Sequence, residues 1–89
     1  MATSGLEALV FGVVRDAVAR VLEVDAGTIT PATTFGADLG ADSLALVEVA
    51  ELVEEALVGR SPGFRLEDEV LERLVTVGEA VRYTLERLR

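Results

Sequence analysis

Three stretches of this chain return an apolar residue every three or four positions, and no stretch of any length alternates apolar with polar. In the clearest, Leu46, Val49, Ala50, Val53 and Leu57 share one stripe at i, i+3, i+4, i+7 and i+11. That spacing predicts a helix capped at Asp42 or Ser43 and running to about Leu57. Leu6, Val10, Val13, Val14, Ala17, Val21 and Leu22 repeat the pattern over 5–22, behind Ser4 and Glu7 at capping-box spacing. Gly12 is a mild weak point of that helix. Val77, Ala80, Val81, Leu85 and Leu88 form the third stripe, behind a second capping box of Thr76 and Glu79. Arg82, Arg87 and Arg89 fall toward its end, the sign that a helix C-terminus favours. A shorter helix is expected over 66–74, with Glu67, Asp68 and Glu69 in its first turn. The helical period without a strand period excludes sheet architectures. The expected fold class is all-α, a small four-helix bundle of three main helices and one short helix before the last.

Eighty-nine residues are enough for a single domain spanning 1–89. Such a domain buries roughly 60–65% of its unfolded surface. Between the first two helices, 23–41 carries Gly27, Pro31, Gly36 and Gly40 and reads as a long loop, with Ile29, Phe35 and Leu39 as its natural pins. Residues 58–63, with Gly59 and Pro62, read as a turn. No apolar run reaches the roughly 18 residues that span a bilayer. No basic stretch precedes the first apolar residues, so no secretory signal is visible and a cytoplasmic location is expected.

Three residue types are missing: His, Cys and Lys. Without Cys there is neither a disulfide nor a thiolate nucleophile. Without His the usual general base and the commonest zinc ligand are gone. All eight basic residues are Arg, which holds its proton. Ser–His, Cys–His and Ser–Lys pairs therefore cannot be built, and the chain is not expected to be an enzyme. No metal site is expected either, since no EF-hand loop is present.

Sixteen acids against eight Arg give a net charge of −8, which argues against nucleic acid or an anionic membrane as partner. The charge is uneven. Residues 38–59 hold six acids (Asp38, Asp42, Glu48, Glu51, Glu54, Glu55) and no base. Opposite the core stripe of the second helix stand Leu44, Glu48, Glu51 and Glu55, with Val47 at the edge. Charge runs are usually just a solvated face. This one also suits docking to basic partners, with a lone Leu among the acids. Ser43, at the helix start, lies beside unsatisfied N–H groups and the positive end of the dipole, a setting that favours phosphate.

The stretch FGADLGADSLALVE at 35–48 resembles the modification motif of acyl carrier proteins, through Phe35, Asp38, Leu39, Gly40, Asp42, Ser43, Leu44 and Glu48. The likeness continues to Glu54–Glu55 and to TVGEAVRY at 76–83, the family's signature at the start of its last helix, so it covers nearly the whole chain. The resemblance implies that Ser43 carries a 4′-phosphopantetheine arm, installed from coenzyme A by a phosphopantetheinyl transferase. It implies partner contacts from Asp42, Leu44, Val47, Glu48, Glu51 and Glu55. The partners implied are enzymes with basic docking surfaces, of acyltransferase, ketosynthase or ligase type. The bundle interior between the second and last helices would shelter the acyl chain. The role is that of a monomeric, non-catalytic carrier.

Three departures bear on the pathway. Ala45 follows the DSL triplet where many fatty-acid carriers have an acid, 58–63 is longer than the common turn, and Arg65 stands where an acid is frequent. They turn the expectation toward polyketide or related secondary metabolism ahead of fatty-acid synthesis. The chain begins at Met1 and stops soon after its last stripe, the form expected of a freestanding carrier. An aminoacyl or peptidyl carrier is the neighbouring alternative, against which Gly40-Ala41-Asp42 and the acidic second helix argue. An unmodified acidic interaction module is the alternative of a different class.

Overall fold

The computed structural model describes residues 5–88, so the Ser4 side of the first capping box and Arg89 lie outside the described residues. Among the described residues four α-helices carry the fold: α1 (Gly5–Leu22), α2 (Ser43–Leu57), α3 (Asp68–Leu71) and α4 (Val77–Leu88). The three long ones sit where the apolar stripes predict. α1 packs against both α2 and α4, and α3 rests on α2. The described residues contain no strand, only one isolated antiparallel bridge between Thr34 and Thr76.

The stripes meet in one core. Val10, Val14 and Val18 of α1, Val53 and Leu57 of α2 and Val77 of α4 are almost wholly buried. Some details differ from the sequence reading. Val18 joins the buried face of α1, whereas Leu6, in the first turn, is 37% exposed. Thr84 is buried on α4 and satisfies its hydroxyl by donating to the Ala80 carbonyl at 2.8 Å. The short helix holds only four residues rather than the nine of 66–74. Phe64 and Leu66 are drawn into the core by an extended segment that leads into it.

α1 ends in a Schellman closure. Val24 N–H donates to the Ala19 carbonyl at 3.2 Å while Glu23 takes the left-handed conformation, φ 56°. A single 3₁₀ turn follows at Ala26–Thr28, capped by Asp25, whose carboxylate accepts the Gly27 N–H at 2.9 Å. The long loop is pinned as expected, with Ile29 and Phe35 buried and Leu39 half-buried. It is also stitched to the start of α4 by three backbone bonds. Phe35 N–H donates to Val75, Val77 N–H to Thr33 and Gly78 N–H to Pro31, each at 2.9 Å. These bonds keep a long irregular segment ordered beside the entrance to α2, which is the precondition for a precise site there.

Candidate functional site

The entrance to α2 is built by two local devices. In the first, Thr34 and Asp38 bond reciprocally. Thr34 N–H donates to the Asp38 carboxylate at 2.8 Å, and Asp38 N–H donates to Thr34 Oγ1 at 3.0 Å. Ala41 N–H then donates to the Phe35 carbonyl at 2.8 Å, and Gly40 takes φ 64°, a left-handed value that suits glycine. The second device is the cap. Asp42 is extended (φ −98°, ψ −179°) and its carboxylate accepts the Ala45 N–H at 2.9 Å. Of the two cap candidates the structure selects Asp42, and Ser43 becomes the first helical residue.

This choice matters chemically. The cap satisfies Ala45, and Leu46 N–H donates to the Asp42 carbonyl. The N–H groups of Ser43 and Leu44 have no intrahelical partner, as in any first turn. Ser43 is exposed, and among the described residues no hydrogen bond or ion pair engages its hydroxyl. An exposed hydroxyl beside free N–H groups at the positive end of a 15-residue helix is placed to become part of a phosphodiester. Leu44 next to it is 67% exposed.

Along the same face Glu48, Glu51 and Glu55 are exposed and Val47 is half-buried. The residues named from the sequence, Asp42, Ser43, Leu44, Val47, Glu48, Glu51 and Glu55, therefore all lie on the solvent side of one helix. Two further residues could not be read from local sequence. Glu54, counted among the six acids, turns inward, with 19% of its side chain exposed. Its carboxylate accepts the Leu66 N–H at 2.6 Å and lies 3.6 Å from Arg65 Nε. Arg20 of α1 borders a shallow groove of about 370 Å³ that it shares with Glu48, Glu51 and Glu55. The run without a base thus gains one across the α1–α2 seam. Only long-range packing brings it there.

The capping box of α4 closes with a one-residue shift. Glu79 N–H donates to Thr76 Oγ1 at 3.1 Å, but the Glu79 carboxylate accepts from Val75 N–H at 2.8 Å rather than from Thr76. Val75 is also the residue whose carbonyl holds Phe35, so the two sequence blocks singled out above meet at this point. No described helix is long and apolar enough to cross a membrane.

A family model described as a phosphopantetheine attachment site matches residues 12–84. Two acyl carrier proteins of Helicobacter pylori, from strains G27 and HPAG1, are each 42% identical to this chain over 66 residues. Those residues cover 74% of this chain and 78% of each relative.

Proposed function

We propose, from the premise that this chain belongs to the acyl carrier protein family, that Ser43 is the residue that bears its 4′-phosphopantetheine group. The family membership makes the chain a carrier and not a catalyst, with that prosthetic group as its cofactor. The group supplies a terminal thiol, on which acyl groups are held as thioesters. One observation carries the choice of Ser43: it is an exposed hydroxyl, free of internal partners, on the first turn of a capped helix.

In the attachment step Ser43 Oγ attacks the β-phosphate of coenzyme A. The new bond is Oγ–P. The P–O–P link breaks, 3′,5′-adenosine bisphosphate leaves, and the hydroxyl proton passes to a base on the transferase. A base from outside is needed, since the chain has no His, Cys or Lys. The free N–H groups of Ser43 and Leu44 favour the resulting phosphodiester. Asp42 holds the turn open by bonding Ala45 rather than Ser43.

Asp42, Leu44, Val47, Glu48, Glu51 and Glu55 form the partner face in this reading. Exposed ion pairs on such a face contribute about 0–1 kcal/mol each, which suits a protein that must leave each enzyme after visiting it. The reading takes 1–89 as one domain acting as a monomer. For the pathway we favour polyketide or related secondary metabolism, with enzymes of acyltransferase, ketosynthase or ligase type as partners. Ala45, the long 58–63 turn and Arg65 support this over a fatty-acid carrier. Incubation with fluorescent coenzyme A and a broad-specificity transferase tests the Ser43 assignment. The wild type should take up label and Ser43→Ala none; equal labelling of both would move the attachment elsewhere.

A further inference from the structure

Residues 58–67 have no helix or strand of their own, yet their far end is fastened from two helices. From α2, Glu54 accepts the Leu66 N–H at 2.6 Å and faces Arg65 at 3.6 Å. From α4, the Tyr83 hydroxyl accepts the Glu67 N–H at 2.9 Å, and Arg87 Nε donates to the Arg65 carbonyl at 3.4 Å. Phe64 and Leu66 turn inward along this strap and are buried. Leu66 is one wall of an interior cavity that also touches Phe35, Leu46, Val49, Val53 and Tyr83. The cavity measures about 20 Å³, room for a single water. Leu46 lies one turn beyond Ser43, so the cavity begins beside the residue assigned to carry the arm.

We propose that Glu54 and Tyr83 determine which acyl cargo enters the bundle, by holding 64–67 shut over this cavity. The proposal rests on the Ser43 reading above. A chain of several carbons needs far more space than one water, and a packed interior does not yield volume continuously. Val49 and Val53 are fixed by the backbone bonds of α2. Phe35, Leu66 and Leu74 are the walls outside the helices; backbone bonds hold Phe35 to Val75 and Leu74 to Leu71, whereas Leu66 N–H is held by the Glu54 side chain, so Leu66 is the wall that can move. Moving it breaks the two side-chain bonds to Leu66 N–H and Glu67 N–H. The first of these ends on a carboxylate and is the stronger kind. The natural cargo is therefore a short or polar acyl group held outside the bundle, and a medium-length saturated chain is resisted by these two side chains.

The test compares wild type with Tyr83→Phe and Glu54→Ala. Tyr83→Phe removes one oxygen and keeps the ring, so it serves where Glu54→Ala proves unstable. In the unmodified proteins, amide exchange at Leu66 or Glu67 should quicken about tenfold when its side-chain partner is removed, with the Val53 and Val81 amides unchanged. Each protein is then loaded from acetyl- and octanoyl-coenzyme A by a phosphopantetheinyl transferase, and loading is read by intact mass. The two loaded wild-type forms should melt within about 1 °C of each other, whereas the octanoyl form of a variant should gain about 4 °C or more over its acetyl form. Octanoyl stabilisation equal in wild type and variants, or unchanged exchange at both amides, overturns the proposal. Failure of all three proteins to gain mass overturns the Ser43 reading and the cargo role with it, and mass alone tells that failure from failure of the strap.

Discussion

Asp42 and Ser43 are adjacent polar residues at one helix start, and the structure gives them different work. Asp42 caps; Ser43 is left free. Ser43→Ala should therefore abolish loading while its Tm stays within about 2 °C of wild type, since no folding contact is lost. Asp42→Ala should instead cost about 1 kcal/mol, seen as a Tm lowered by roughly 4–8 °C. A Ser43→Ala variant that melted like Asp42→Ala would assign the cap wrongly. The sequence marked both residues as cap candidates and could not choose, because the choice rests on a backbone torsion, the extended ψ of Asp42. Gly78 is a second case. A Cβ there would meet the Pro31 carbonyl oxygen at 3.0 Å and the Pro31 Cβ at 3.3 Å. Gly78→Ala should destabilise by about 1–3 kcal/mol in a denaturant titration, by pushing the loop off the start of α4. No local pattern announced that contact, which joins residues far apart in sequence.

Among elements, α2 was the most legible, because its core stripe and its acidic face both repeat at the helical period. Val49, Ala50, Val53 and Leu57 are buried, while Glu48, Glu51 and Glu55 are exposed. What the helical period could not reveal is what meets the two flanks of α2: the strap on one, at Glu54, and Arg20 of α1 on the other. α3 was overestimated for a related reason. Its apolar spacing includes Leu66, which the fold uses as an extended anchor rather than a helical residue. At this scale the partner face makes its prediction. Glu48→Lys or Glu51→Lys should slow modification by a transferase with a basic docking surface. Raised salt should slow the wild type as well, since screening acts over about 8 Å at physiological ionic strength. Rates indifferent to both would remove the electrostatic role of the face.

For the molecule as a whole, the core rests mainly on valines from α1, α2 and α4, with Leu57 the largest fully buried side chain. Leu57→Ala should cost about 2–5 kcal/mol in the same titration. That loss is structural, so any folded fraction should still load at Ser43. The fold class was readable from periodicity, and the family from two motif blocks. Hydrogen bonds from Phe35 to Val75 and from Val77 to Thr33 show why those blocks belong together: the loop before α2 and the turn before α4 are one bonded unit. Distance in sequence hid that connection, as it hid the strap bound by Glu54 and Tyr83. In the proposed reading this bonded unit presents Ser43 for modification. The most direct measurement of this is intact mass, with fragment mapping, after incubation with coenzyme A and a phosphopantetheinyl transferase. One added phosphopantetheine, mapped to Ser43, is the expected result. A folded, initially unmodified sample that gained no mass, or gained it at another residue, would contradict that reading.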